Sequence, residues 1–209
     1  MVILRRFLRD ECGATMVEMS LVITLLLTLL LGFIDFGYAF YQWNAAAKAV
    51  QVGARMASIS SPVAQSNILS SAATTDLSLV GVEMAPGSYS FTCTSAACTG
   101  TSNPGFSQSA FDRIYFGDDG VCQGTASPGR PGMCDMFPGL QASEVRIEYV
   151  ATGLGFWTRP GGAVPTIRVS IVNHPFQFFF LGGLLGFANI TMPDMLSTVT
   201  GEDLNSASP

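Results

Sequence analysis

The chain has 209 residues, of which 48% are hydrophobic and only 12% are charged. Its mean hydropathy of +0.39 is high for a soluble domain and favours one membrane segment joined to one domain of modest size. The 10 Lys and Arg residues against 15 Asp and Glu residues give a net charge of -5, so the chain lacks the basic surface that nucleic acid requires. Nucleic acid is therefore excluded as a partner.

A short basic leader, residues 1–13, opens the chain and is followed by an apolar run over residues 14–34. Glu18 is the only charged residue of that run. At ~1.5 Å per residue, a helix of this length can cross the ~30 Å hydrocarbon core of a bilayer. The run therefore predicts a transmembrane helix.

The distribution of basic residues predicts the orientation of this helix. Three arginines precede it, and two basic residues, Lys48 and Arg55, follow it within about 20 residues. Positive residues beside a span tend to stay in the cytoplasm. We therefore expect a cytoplasmic N-terminus and an outward-facing C-terminal part.

Gly13 lies between the leader and the apolar run, so cleavage after it would leave the hydrophobic helix on the mature chain. A secretory signal peptide has the opposite order and loses its apolar stretch. The order found here is typical of a type IV prepilin. Cleavage between Gly13 and Ala14 would make Ala14 the first residue and Glu18 the fifth.

Glu18 needs a partner, because an ionised carboxylate inside an apolar span costs about 2.5 to 3.5 kcal/mol. The free α-amine of a neighbouring processed subunit, with an ordinary pKa of ~7.7 to 8.0, could neutralise it. Glu18 would then set the register between stacked helices. The alternative is that Glu18 lies at the membrane interface and its side chain reaches the headgroups. The spacing leaves both interpretations open.

The helix is predicted to continue to about Ser58. No proline occurs before Pro62, and residues 38–57 are rich in Ala, with Gly53 as the only helix breaker among them. A Ser-rich joint over residues 58–71 should then lead into a short helix.

Aromatic residues mark the end of the apolar run. Phe33, Phe36 and Phe40 recur at helical spacing and should pack against neighbouring helices or the rest of the chain. Asp35 is expected to be a solvated residue at the level of the lipid headgroups.

Four cysteines follow the apolar run, and their close spacing favours the pairs Cys93 with Cys98 and Cys122 with Cys134 in an oxidising compartment. Four cysteines allow three connectivities, and the sequence does not choose among them. A zinc site is the competing interpretation. It is weaker, because the spacings are not those of paired CxxC motifs and the only histidine, His174, lies far away in the sequence.

The remaining residues, 59–209, should form one α+β head domain with an antiparallel sheet. The alternation of apolar and polar residues predicts four strands, over 88–94, 144–150, 164–172 and 189–200. One face of this sheet should be buried and the other hydrated. The Gly-, Pro-, Ser- and Asp-rich stretch 95–140 is expected to be a long loop region held by disulfides.

A phenylalanine-rich run with Phe176, Phe178, Phe179 and Phe180 is too short for an ordinary membrane span. If exposed, it would mark a contact with a partner or a membrane, which we favour; if buried, it is simply core.

Asp112, Asp118, Asp119 and Asp135 could offer oxygen ligands to calcium. The spacing does not match an EF-hand, and Asp and Gly also favour plain turns, so we predict a turn and no metal.

No GxSxG, HExxH or P-loop motif occurs, so we expect neither enzymatic activity nor a cofactor.

Residues 13–58 resemble the N-terminal signature of TadE-like minor pseudopilins of the tight-adherence (Flp) pilus. The matching features are Gly13, Glu18, the Leu-rich run, Gly32, Asp35-Phe36-Gly37, the alanines at 45–47 and Gly53-Ala54-Arg55. The family usually has Glu-Phe-Gly where this chain has Asp35-Phe36-Gly37. Met19 departs from it too, since an aromatic residue commonly follows the glutamate.

The resemblance implies that a prepilin peptidase cleaves the chain between Gly13 and Ala14. It also implies partners: other pilins and pseudopilins, and the pilus assembly platform of the bacterial inner membrane. The alternative is an uncleaved single-pass envelope protein that presents a disulfide-stabilised binding head. Assembly requires cleavage and Glu18, whereas a simple anchor requires neither.

Overall fold

The computed structural model describes residues 11–70, 76–122, 129–159, 162–180, 182–183 and 190–205. The chain forms two compact units. The first comprises the chain up to Tyr41 together with Phe176–Ile190, and the second comprises Gln42–Pro175 with Thr191–Pro209. The division of the chain at residues 13 and 58 stays a prediction.

A continuous helix, α1, extends over Glu11–Ser58 and ends where the sequence predicts. Its most apolar window has a mean hydropathy of 2.4, and it is the one helix among the described residues that is long and apolar enough to cross a membrane. Three hydroxyl side chains in the apolar run bond back to backbone carbonyls of the same helix: Ser20 to Val17, Thr24 to Ser20 and Thr28 to Thr24. These hydroxyls are therefore satisfied without water.

The second unit is built on a five-stranded antiparallel sheet and a separate pair of short strands, β1 (Ala64–Gln65) and β4 (Gly105–Phe106). The strands of the larger sheet are β2 Ser90–Cys93, β3 Cys98–Gly100, β5 Val145–Val150, β6 Thr166–Ile171 and β7 Met195–Thr200. Their order across the sheet is β3-β2-β5-β6-β7. In the centre of the sheet, Tyr149 pairs with Phe91 on one side and with Ile167 on the other. All three side chains are fully buried, while alternate residues of β5 are half-exposed. The predicted alternation of a buried and a hydrated face is confirmed.

The strand β7 is shorter than the predicted strand over 189–200. Pro193 has no backbone N–H to donate to a neighbouring strand, and β7 begins two residues after it. Before this proline, Thr191 forms an isolated antiparallel bridge with Pro175.

The stretch 95–140 is more ordered than a loop region, which corrects the expectation drawn from its composition. It contains α3 (Gln108–Phe116), α4 (Met133–Met136) and β4 (Gly105–Phe106), which pairs with β1 (Ala64–Gln65). The Ser107 hydroxyl accepts a bond from the backbone N–H of Ala110 and so caps α3. The apolar side chains that α3 buries are Ala110, Phe111, Ile114 and Tyr115. Their spacing places them on one face of a helix, and their burial outweighs the loop-like flanks.

The C-terminal part of α1, from Gln42, belongs to the same unit as the sheet and buries a face rich in small residues. Ala46, Ala49 and Ala57 are fully buried there. A Cβ atom at Gly53 would lie 2.5 Å from Sδ of Met133 and 3.1 Å from Cγ1 of Val169. The glycine that looks like a helix breaker in the sequence therefore allows α1 to lie close to α4 and β6. A short helix, α2 (Asn67–Ser70), follows α1, but it lies within the predicted joint, residues 58–71, and not after it.

Two disulfides hold the second unit. Cys93 is joined to Cys98 across the β2–β3 pair, and Cys122 is joined to Cys134 on α4. These are the close pairs that the sequence favoured, and with all four sulfurs in disulfides no thiolate remains for the alternative zinc site. The fold class is α+β, with a long apolar N-terminal helix and an antiparallel sheet stapled by disulfides.

Candidate functional site

The predicted processing and assembly residues lie near the start of α1. Gly13, Ala14 and Glu18 are all helical and exposed. Glu18 has no hydrogen-bond or ion-pair partner among the residues that the structure describes. Its carboxylate thus stands on the surface of a helix whose neighbouring side chains are mostly apolar.

The apolar side chains of the first unit have little protein around them. Residues 13–30 of α1 are all exposed. Phe33, Phe36 and Phe40 form the predicted stripe and are 67%, 71% and 63% exposed. We expected this stripe to pack against neighbouring helices or the rest of the chain. Within the single chain it is uncovered, which leaves neighbouring helices or lipid to cover it.

Asp35 lies on the same helix but is fully buried, which corrects the expectation of a solvated residue. Its Oδ1 accepts a hydrogen bond from the backbone N–H of Phe179, and its Oδ2 accepts one from the backbone N–H of Phe180, both at 2.9 Å. The two successive amides bind the two oxygens of one carboxylate. Charge-assisted bonds of this kind are stronger than bonds between neutral groups, and they replace the water that a carboxylate would otherwise hold.

The phenylalanine-rich run is held against α1 at Asp35 through these bonds. Phe176 and Phe178 are half-buried, and their ring centroids lie 6.1 Å apart. The Phe179 ring packs against Tyr38 with centroids 4.8 Å apart, yet it remains 64% exposed, and Phe180 is 42% exposed. Part of the run is therefore half-buried and part is an exposed aromatic surface. Residues 181 and 184–189 of the run lie outside the described residues.

The acidic residues considered for calcium are engaged by protein groups. Asp112, Asp118 and Asp119 line one shallow surface depression of about 380 Å³ with Arg113. Asp118 binds Arg130 at 2.8 Å and Arg113 at 3.0 Å, and hydrogen bonds from Arg130 lower the pKa of its carboxyl group to about 2. Asp112 accepts a bond from Gln108, and Asp119 accepts one from the backbone of Val121. The arrangement is an ion-paired turn, and the absence of a metal stays a prediction.

Asp135, the fourth of these acids, caps the N-terminus of α4. One of its carboxylate oxygens accepts a bond from the backbone N–H of Gly132 at 2.8 Å. It is therefore a structural residue of that short helix.

The single histidine belongs to the packed interior of the second unit. Nδ1 of His174 lies 2.8 Å from Oε2 of Glu144, and its ring packs edge-on against Phe137. His174 is 3% exposed, so no substrate can reach it without a rearrangement. An open cavity of about 560 Å³ elsewhere in this unit is lined by polar uncharged and apolar residues, among them Ser61, Gln65 and Asn67. The lining residues that the structure describes supply no charged group for acid–base chemistry.

Sequence reasoning missed the part that Asp35 plays. Its two partners are backbone amides that lie 144 and 145 residues further along the chain. The available signal was an acidic residue between Ile34 and Phe36 together with a long uncharged aromatic run elsewhere.

The family model described as TadE-like protein matches residues 13–55. The match begins at Gly13 and ends three residues before the end of α1, so it covers the long helix and leaves the sheet unmatched. No curated protein and no solved structure is significantly similar to the chain. The match confirms the resemblance found in the sequence: in its long apolar helix, residues 13–55, the chain is similar to the TadE-like family.

Proposed function

We propose that the chain is a minor pseudopilin, a non-catalytic structural subunit of a tight-adherence (Flp) type IV pilus that supports pilus biogenesis and surface adherence. The observation that carries the proposal is the TadE-like match over residues 13–55, which coincides with the long apolar helix α1. The TadE-like family indicates a protein associated with the Tad pilus. The finer assignment rests on the residues of this helix.

The processing site is proposed between Gly13 and Ala14, for cleavage by a prepilin peptidase. The family match starts at Gly13, and the bond lies at the boundary between the basic leader, residues 1–13, and the apolar run. Cleavage there removes the leader and keeps the helix. The mature subunit would then consist of the helix, residues 14–58, and the head domain, residues 59–209.

The exposed apolar side chains of α1 support a role in assembly. Leu21, Leu25 and Leu29 are 65%, 68% and 52% exposed in the single chain. Apolar surface of this extent is stable only in lipid or against other helices. A pseudopilin needs both environments, first the membrane and then the helices of neighbouring subunits.

Glu18 is proposed as the residue that pairs with the new α-amine of a neighbouring subunit. It has no partner among the described residues, and its apolar surroundings would make an unpaired charge costly by about 2.5 to 3.5 kcal/mol. The protonated α-amine at Ala14 of the next subunit would carry the positive charge that neutralises the Glu18 carboxylate. The pairing would form only in an assembly and would fix the axial register of the helices.

The proposed location is the bacterial inner membrane, crossed once, with a cytoplasmic N-terminus and a periplasmic head that can enter surface pili. The two disulfides suit an oxidising compartment on the outer side. The proposed partners are other pilins and pseudopilins, the prepilin peptidase, the assembly platform and the membrane. The alternative function is an uncleaved single-pass envelope protein whose stapled head binds a partner.

The proposal is tested in the host by deleting the gene and restoring it as a tagged copy. Pili should be lost or reduced on deletion and recovered on restoration, and the tagged chain should co-fractionate with the pilus assembly components of the membrane or with sheared pili. A copy in which Gly13 is replaced by Gln should remain in the membrane unprocessed and fail to restore pili. Normal pili in the deletion strain would favour the anchored binding protein.

A further inference from the structure

We propose that the phenylalanine-rich turn at Phe176–Phe180 is a membrane-contacting loop that Asp35 holds at the outer boundary of the bilayer. The loop would place the exposed rings of Phe179 and Phe180 among the lipids beside the transmembrane helix. This inference rests on the proposed membrane span of α1.

The depth of the loop follows from its attachment to Asp35. From Ala14 to Asp35 the helix rises by about 32 Å, the thickness of a hydrocarbon core, at ~1.5 Å per residue. If residues 14–34 cross the bilayer, Asp35 lies where the hydrocarbon ends. The backbone amides of Phe179 and Phe180 lie 2.9 Å from its carboxylate oxygens and therefore share that depth.

The composition of the segment suits lipid. No Asp, Glu, Lys or Arg occurs between His174 and Asp194. Phe179 is 64% exposed and Phe180 is 42% exposed, so much of both aromatic surfaces would face water in the absence of a cover. Exposed aromatic side chains in a segment without charged residues suit the boundary of a bilayer, and the Phe179 ring packs against Tyr38 of the helix.

Hydrogen bonds within the protein allow the irregular backbone of the turn to lie near hydrocarbon. Backbone N–H groups there have no water to bind, so they need acceptors within the protein. Asp35 accepts from Phe179 and Phe180, and the N–H of Phe176 bonds to the carbonyl of Ile190 at 2.8 Å. The N–H groups of Phe176, Phe179 and Phe180 thus all have acceptors within the protein, and Asp35 ties the last two to the helix.

The proposed loop also explains why an acidic residue occupies position 35. An acidic residue at the end of a span is normally solvated, yet this one is fully buried beneath the turn. Its two oxygens accept hydrogen bonds from two successive backbone N–H groups of the turn. These bonds orient the turn and also satisfy the carboxylate. Asp35 is therefore a positioning residue for the aromatic rings.

The test measures the depth of a tryptophan in the full chain reconstituted singly into lipid nanodiscs. Trp43→Phe and Trp157→Phe give a background without tryptophan. Phe179→Trp is then compared with Phe33→Trp in the span and with Leu77→Trp, an exposed site in the other unit. Lipids brominated on the upper part of their acyl chains quench tryptophan that touches them, while acrylamide quenches tryptophan in water.

We expect bromine quenching at Phe179→Trp to be several-fold stronger than at Leu77→Trp and comparable to that at Phe33→Trp. If Phe33→Trp is quenched by bromine while Phe179→Trp responds only to acrylamide, as Leu77→Trp does, the loop proposal is overturned and the membrane span stands. If Phe33→Trp is not quenched by bromine either, the span and the proposed function fail with it.

The part that Asp35 plays is tested in the Phe179→Trp protein. Asp35→Ala removes both acceptors and should reduce bromine quenching at Phe179→Trp several-fold, with a matching rise in acrylamide quenching. Asp35→Asn keeps one acceptor oxygen, so its bromine quenching should lie between that of Asp35→Ala and that of the protein with Asp35. Bromine quenching that is unchanged in both variants would overturn the positioning role.

Discussion

The Tyr149 hydroxyl on β5 accepts a hydrogen bond of 3.1 Å from the backbone N–H of Val63, and both residues are fully buried. The bond joins the centre of the sheet to the segment that follows α1, 86 residues earlier in the chain. Burial raises the pKa of the Tyr149 phenol above its ordinary value, so the hydroxyl stays neutral as a hydrogen-bonding group.

Tyr149→Phe should lower the free energy of unfolding by about 1 to 3 kcal/mol, because it leaves the buried Val63 N–H without an acceptor. The measurement is urea unfolding of the detergent-solubilised full chain. Tyr89→Phe is the matched control, since Tyr89 is as deeply buried but its hydroxyl has no partner within the described part of the chain. This change should be neutral or stabilising, and equal losses for the two variants would contradict the account.

The two disulfides should contribute unequally. Cys122 and Cys134 are 12 residues apart, whereas Cys93 and Cys98 are 5 apart. On the loop-entropy relation, the longer loop contributes about 3 kcal/mol and the shorter one about 2 kcal/mol. Replacing each pair by Ser and measuring urea midpoints under oxidising conditions should give the larger loss for Cys122 and Cys134. The reverse order would show that strain or residual structure outweighs loop length.

Acid should weaken the turn around Asp118. Hydrogen bonds from Arg130 lower the pKa of this carboxyl group to about 2 from an ordinary value of 3.8. A depressed pKa in the folded state means that the stabilisation is complete above about pH 4 and is lost as the pH falls towards about 2. The stability of the wild type should therefore decline over that window.

Asp118→Asn tests this assignment, because it should remove part of the acid-dependent loss measured by urea unfolding at several pH values. Asp112→Asn is the control, since the Asp112 carboxylate accepts its bond from the uncharged Gln108. An acid profile of Asp118→Asn identical to that of the wild type would contradict the ion-pair account.

Calcium should not raise the melting temperature of the protein, because both oxygens of Asp118 are bound by arginine.

Glu18→Ala should leave membrane insertion intact or improve it, because a charge is removed from an apolar span. It should also block incorporation into pili, since the α-amine of the neighbouring subunit then has no carboxylate with which to pair. Glu18→Asp keeps the charge on a shorter side chain and should retain more incorporation than Glu18→Ala. Immunoblots of the membrane and of sheared pili measure both steps. Normal piliation with Glu18→Ala would leave only the interfacial interpretation of this residue.

Local sequence patterns predicted the elements that depend on local physics. The apolar run and the alanines after it gave α1 with its end at Ser58, and strict alternation gave β5 and β6. The helix α3 was missed, because the Gly, Pro and Ser residues around it dominate the composition of the stretch. Ser107 and the pairing of Phe111 with Tyr115 at helical spacing were the usable signals.

The site at Asp35 could not be predicted in the same way. An acidic residue after an apolar run has the pattern of a solvated boundary residue, and only the folded chain brings Phe179 and Phe180 to it. Backbone amides have no sequence signature, so a carboxylate that binds them is invisible to residue patterns. The same holds for Gly53: a side chain there would collide with Met133, which lies 80 positions further along the chain.

The most direct test of the central claim is the intact mass and N-terminal sequence of the membrane-extracted protein, produced with and without the prepilin peptidase of the host. The account predicts a chain that begins at Ala14 only when the peptidase is present. A chain that still begins at Met1 under both conditions would contradict the pseudopilin assignment and identify an uncleaved membrane anchor.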